Sequence, residues 1–250
     1  MNKNTQVNAA IIIIGNEILS GRTQDTNTIT IALWLNSLGV KVQEVRVIPD
    51  IEDIIVNTIS KVKKINNYVF TTGGIGPTHD DITAKSISKA FNVKYEVNKE
   101  AYKILENYYK PGEFNEGRQK MAWTPSKAKL ILNPTSGAPG FIIDNVYCLP
   151  GVPSILKSML GGLKNVISGG KPIISHTINL RTVESEIAKS LTTVQENNKD
   201  VEIGSYPFFK AGKVGVSIVL RSDDKSKIEV CNSKILEFVN QKKIEIIKSS

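Results

Sequence analysis

The chain has 250 residues and a mass of 27.5 kDa, enough for one large domain or two smaller ones. Apolar residues make up 40% and charged residues 22%, which excludes a wholly disordered chain. The net charge is +8, but 27 of the 32 basic residues are Lys and 5 are Arg, scattered along the chain. Phosphate and base readers favour Arg for its bidentate fork, so the excess reads as a solvated surface and no nucleic-acid partner is expected.

No stretch approaches the ~20 apolar residues of a membrane span. The polar start, Met-Asn-Lys-Asn-Thr-Gln, has no secretory h-region, so a cytoplasmic protein without a membrane partner is expected. Cys148 and Cys231 lie far apart without C-x-x-C spacing, and His79 and His176 are the two histidines. That set is too small for a thiolate or imidazole metal site, so a metal here would be held by oxygens.

In chain order, Asn8–Gly15 reads as a strand and Thr26–Leu38 as a helix ending at Gly39. Lys41–Ile48 is a second strand, and Asp50 is placed to cap a helix running to about Lys64. Asn67–Thr72 is a third strand, followed by a Gly-rich loop and a helix to about Phe91. This alternation predicts an α/β layer with a mostly parallel sheet. A helix over Lys99–Tyr109, a short one over Asn115–Ala122, extended segments Lys129–Leu132 and Phe141–Leu149, and a helix over Pro153–Val166 complete the first part. Gly169, Gly170 and Pro172 then mark a boundary, giving expected domains of residues 1–168 and 171–250. The second part reads βαββα: Ile173–Arg181, Val183–Gln195, Val201–Tyr206, Lys213–Arg221 and a last helix around Ile228, Cys231, Ile235 and Val239.

Ligands of open α/β sheets bind beyond the carboxyl ends of strands. Three loops qualify: Gly15 to Asn27, Thr72 to Thr83, and Pro150 to Pro153. The second, Thr-Gly-Gly-Ile-Gly-Pro-Thr-His-Asp-Asp-Ile-Thr, is the most informative. Three glycines in four positions free the backbone N–H groups to face an anion, and the following helix start adds partial positive charge. Asp80 and Asp81 at its mouth suit a hard divalent cation beside phosphate oxygens. The bland alternative is a turn with a carboxylate cap. The loop has neither P-loop nor dinucleotide-fingerprint spacing.

At residues 72–83 the sequence resembles the signature of the MoaB/Mog-type molybdopterin-binding fold, in its CinA-family version. Ile14 to Gly21 with Asp25-Thr26-Asn27 resembles that family's first motif, with Asn16 where the family usually has Asp. Asn115-Glu116-Gly117-Arg118, Met121-Ala122, Asn133-Pro134, Ala138 to Phe141 and Pro150 to Pro153 follow in the family's order. The resemblance covers residues 8–166. Residues 171–250 are similar, more weakly, to the small KH-like domain that follows in CinA proteins, and a protein without the family's C-terminal deamidase domain is expected.

The resemblance implies a three-layer α/β/α fold, with a small α+β second domain, and a nucleotide or pterin ligand. It implies metal-dependent hydrolysis of a nucleotide pyrophosphate such as ADP-ribose or FAD. The alternatives are molybdopterin adenylylation, or binding without turnover. Glu17, Asp80 and Asp81 are the expected catalytic and metal residues, for Mg²⁺, Mn²⁺ or Co²⁺. Gly15, Asp25, Asn27, Thr72, Gly73, Gly74, Gly76, Pro77, Thr78, Thr83 and Arg118 are the expected nucleotide contacts, though Asp25 also suits a helix cap and Arg118 a surface ion pair. Trp34 and Trp123 read as packing residues. Tyr206, Phe208 and Phe209 read as domain packing or a dimer contact in an expected homo-oligomer.

Overall fold

The computed structural model describes residues 6–210 and 212–247, and the chain divides into two compact units, Met1–Gly170 and Lys171–Ser250. In chain order the first unit contains β1 (Asn8–Ile14), α1 (Asn16–Leu19), α2 (Asn27–Ser37), β2 (Lys41–Ile48), α3 (Glu52–Val62), β3 (Tyr68–Thr72) and α4 (Thr83–Ala90). There follow β4 (Tyr95–Val97), α5 (Lys99–Tyr108), α6 (Glu116–Lys120), β5 (Trp123–Pro125), β6 (Lys129–Ile131), β7 (Gly140–Ile143), β8 (Val146–Leu149) and α7 (Pro153–Gly162).

The apolar run of β1 makes it a strand buried on both faces. Alternation divides its side chains: Ala9 and Ile11 join a core with Ile31, Leu35, Leu156 and Met159, while Ala10, Ile12 and Ile14 join another with Ile55, Ile59, Val62 and Ile87. The sheet, in order β2-β1-β3-β8-β7-β6, therefore lies between α2 and α7 on one face and α3 and α4 on the other. β2, β1, β3 and β8 run parallel, β7 runs antiparallel to β8, and β6 antiparallel to β7. All carboxyl ends of the parallel strands thus open on the same edge, which places the loops after β1, β2, β3 and β8 together.

Two expectations change here, and one pair of strands was not anticipated. The segment Phe141–Leu149 is a hairpin, turning at Asp144, whose φ of 53° an Asp tolerates. Tyr95–Val97 and Trp123–Pro125 pair as a separate two-stranded sheet, too short to leave a periodic signal. Asp50 does not cap α3: the N-cap residue is Ile51, and the Asp50 carboxylate instead accepts from the Asn16 N–H at 2.9 Å.

The second unit contains β9 (Ile174–Arg181), α8 (Glu184–Glu196), β10 (Glu202–Lys210), β11 (Lys213–Ser222), α9 (Lys225–Gln241) and β12 (Glu245–Ile247). Its antiparallel sheet has the order β10-β11-β9-β12, with Ile178, Leu180, Val216, Ile218 and Leu220 facing Ile187, Ile228, Cys231 and Ile235. The unexpected β12 completes a βαββαβ unit. This strand order is that of ferredoxin-like domains, an α+β arrangement. Tyr206 and Phe208 pack on their own sheet, their rings lying where Cβ atoms on Gly204 and Gly215 would stand.

Candidate functional site

The loop after β3 is held by conformations that glycine alone adopts without strain. Gly73 has φ of 104° and Gly74 of 69°. A Cβ on Gly73 would stand 2.1 Å from the Ile14 carbonyl oxygen, and one on Gly74 2.1 Å from Thr83 Oγ1. The backbone is thereby drawn tight against the end of β1 and the start of α4. Gly73 N–H donates to Leu149 O and Thr83 N–H to Gly74 O, whereas the N–H groups of Gly74, Ile75 and Gly76 donate to no partner among the described residues. Free N–H groups beside a helix N-terminus form an anion cradle.

Asn27, buried at the start of α2, ties the neighbouring loops to this one. Its Nδ2 donates to Thr72 Oγ1 at 2.9 Å and to Gly151 O at 2.8 Å. Thr72 Oγ1 in turn donates to Pro150 O at 3.0 Å. Asp25 accepts from the N–H of Asn27 at 3.0 Å and of Thr28, so it caps α2. Thr72 and Asp25, expected as nucleotide contacts, spend these groups on holding the loops. Two buried polar atoms next to the cradle, Asn27 Oδ1 and Thr83 Oγ1, have no hydrogen-bond partner. Such atoms are costly to leave unsatisfied and mark positions where a ligand's polar groups would be welcome.

Four carboxylates surround the cradle. Glu17 folds back over Gly15, its oxygens 2.5 and 2.6 Å from the position of an added Cβ. Asp81 fills the space beside Gly76 and accepts from Thr78 N–H at 2.8 Å and Thr78 Oγ1 at 2.5 Å. Asp80 is exposed. The fourth, Asp50, was missed as a site residue; it follows β2 and so sits at the carboxyl end of a strand, where it could have been found. Burial pushes its carboxyl above the usual range, the Asn16 N–H opposes this, and the charges of Glu17, Asp80 and Asp81 push it further up.

Glu17, Asp80 and Asp81 do not assemble as a three-carboxylate cage. Among the described residues no group of three or more His, Cys, Asp or Glu side chains stands close enough to hold a metal. The reason is local: Glu17 is turned onto Gly15 and Asp81 onto Gly76 and Thr78.

Two clefts flank the loop. One is lined by Glu17, Thr23, Asp25, Asn27, Thr72 and Gly151 among others. The other is lined by Gly74, Gly76, Asp81, Tyr95, Lys120 and Trp123 among others. Arg118 lines neither, because its guanidinium lies 4.1 Å over the Tyr109 ring and pairs with Glu113. The cation at the cleft is Lys120, two residues on, whose Nζ donates to Thr78 O. No spacing in the sequence distinguishes Lys120 from its neighbours. Pro77 lies against α6, its carbonyl oxygen 3.5 Å from the position of a Cβ on Gly117, and His79 is exposed.

Among the described residues no helix is long and apolar enough to cross a membrane. Residues 10–176 match the family described as "Probable molybdopterin binding domain", and residues 172–247 match "FAD synthase, middle domain". A relative from Archaeoglobus fulgidus is 36% identical over 233 residues, 93% of this chain and 98% of its own. Another, from Sulfolobus acidocaldarius, is 38% identical over 191 residues, 72% of each chain. The solved structure of a protein named CinA, of unknown function, from Thermoplasma acidophilum is 32% identical. It superposes with a TM-score of 0.60 over 64% of this chain and 98% of its own. Fold, loop geometry and these likenesses agree: the chain belongs to the MoaB/Mog-type molybdopterin-binding domain family, with a CinA-like first unit and a second unit of the FAD synthase middle-domain type.

Proposed function

We propose that this protein binds a nucleotide diphosphate and hydrolyses its pyrophosphate with a divalent cation, ADP-ribose and FAD being the substrate types. The observation that carries the reading is the Gly73–Gly76 cradle, with its free N–H groups, set among Asp50, Asp81 and Lys120. A neutral-ligand pocket has no use for mutually repelling carboxylates beside free N–H donors. A phosphate carried with a cation satisfies both.

The donor set fits a cation that arrives with its substrate. Mg²⁺ is commonly held by one or two carboxylates and completes its shell with phosphate oxygens and water. Asp50, whose oxygen lies 3.5 Å from the position of a Cβ on Gly74, and Asp81, beside Gly76, would supply those carboxylates. When bound, the cation would neutralise charge developing on the pyrophosphate and lower the pKa of a water. The cradle N–H groups orient the diphosphate, and Lys120 neutralises an oxygen on the opposite side. Glu17, exposed at the end of β1, accepts the proton of the attacking water. Asn27 keeps the three loops in register.

Asp81→Asn tests this assignment. Asn retains an acceptor for Thr78 but loses the charge, so cation-dependent AMP release falls by orders of magnitude while the melting temperature without cation moves little. Retained turnover would reduce Asp81 to a loop brace. Transfer of AMP from ATP to molybdopterin, with no hydrolysis, would replace the hydrolase reading by adenylyl transfer.

A further inference from the structure

The two tryptophans, both first read as packing residues, differ in their surroundings. Trp34 packs edge-on against Phe70, with ring centroids 5.8 Å apart, at the core of the first unit. Trp123 is 39% exposed and lines the cleft beside Gly74 and Gly76. It sits on the two-stranded sheet β4-β5, diagonal to Tyr95, with centroids 5.3 Å apart and planes tilted by 43°. Its chain neighbours Ala122 and Thr124 are 0% and 3% exposed, and strand alternation places Trp123 on the opposite face from Thr124. Met121 and Pro139 line it too, with Asp81, which lies beside Gly76, and Lys120, which donates to Thr78 O. The cleft on the other side of Gly73 is lined by Ile13, Ile14, Ile18 and Pro153 together with Thr23, Asp25 and Asn27, among whose groups is the unpartnered Asn27 Oδ1.

A planar ring joined through a sugar or sugar-alcohol linker to a phosphate is the kind of ligand that an aromatic wall beside an anion cradle recognises. We infer that Trp123, braced by Tyr95, stacks on a planar heteroaromatic head on the far side of the diphosphate, so that the preferred substrate carries two heads. The nucleoside half lies in the Asp25–Asn27 cleft, the phosphates cross the Gly73–Gly76 cradle, and the second ring lies on Trp123. This rests on the nucleotide reading above and narrows it: a flavin- or base-bearing dinucleotide is preferred over ADP-ribose, whose second head is a bare sugar.

The test is isothermal titration of the full chain with FAD and with ADP-ribose, for the parent protein, Trp123→Ala and Trp123→Phe. Trp123→Ala weakens FAD binding at least tenfold and shifts ADP-ribose binding less than twofold, and Trp123→Phe restores most of the FAD affinity. In a Trp34→Phe background, where Trp123 is the one remaining tryptophan, FMN quenches the emission and ribose 5-phosphate does not. Equal weakening of both ligands, or of neither, would overturn the two-headed assignment while leaving the nucleotide site standing. If the parent protein binds neither ligand, the nucleotide reading falls and this inference falls with it.

Discussion

Replacing Asn27 by Ala removes the side chain that joins three loops. Two hydrogen bonds go, at 2.9 and 2.8 Å, and the buried Thr72 hydroxyl and the part-buried Gly151 carbonyl lose a donor. At about 1 kcal/mol per bond, plus about 1 kcal/mol for the acceptor left dry, the cost is about 3 kcal/mol. Removing the unpartnered Asn27 Oδ1 returns about 1 kcal/mol, leaving about 2 kcal/mol net. A unit of this size loses roughly 2–4 °C per kcal/mol, so calorimetry of the full chain should show the first unit melting about 4–8 °C lower. ADP-ribose binding weakens too, because the loop holding the cradle is no longer fixed from below. Asn27→Asp is worse than Ala at neutral pH, since it sets a buried charge against two acceptors, and it recovers on acidification as the neutral carboxyl becomes a donor. A melt within 1 °C of the parent, with ADP-ribose affinity intact, would refute the stitching role.

Asp50→Asn separates activity from stability: turnover falls at least a hundredfold while the melting temperature at pH 7–8 rises. The folded-state pKa of Asp50 is raised, so its contribution is fully present below the unfolded pKa and is lost as pH rises through the folded one; the advantage of Asn therefore shrinks towards pH 3 in a pH series of melts. Lys120→Ala weakens nucleotide binding roughly tenfold, the loss of one charge-assisted contact, whereas Arg118→Ala changes it less than twofold, as titration would measure. A chain ending after Gly170 keeps a cooperative melt and nucleotide binding, because every residue assigned to the site precedes that point.

Much of the first unit is written in periodicities. The unbroken run in β1 and the helical spacing of Ile55, Ile59 and Val62 determine a buried strand and a one-sided helix with no help from the rest of the chain. What escaped is what depends on partners distant in sequence. β4 and β5 have three residues each and exist because Tyr95 and Trp123 meet across 28 positions. β12 exists because the edge of β9 is open to it. The glycines of residues 73–76 were legible as a cradle because close backbone approach needs a particular residue type. The carboxylates were legible only as types. Nothing local separates an Asp that caps from an Asp that faces a ligand: Asp25, an expected contact, caps α2, and Asp50, an expected cap, stands in the site. Arg118 and Lys120 exchange roles for a similar reason, since residues two apart on a helix point in different directions.

Cation-dependent hydrolysis is proposed for the Gly73–Gly76 cradle. Its most direct test is AMP release from FAD and ADP-ribose by the purified full chain, followed chromatographically with Mg²⁺, Mn²⁺ or Co²⁺ and again after EDTA. AMP is expected in stoichiometric balance with FMN or ribose 5-phosphate, its release abolished by EDTA and restored by added cation. Tight binding of both nucleotides with no AMP over hours, at any of the three cations, would contradict it and leave a binding protein in its place.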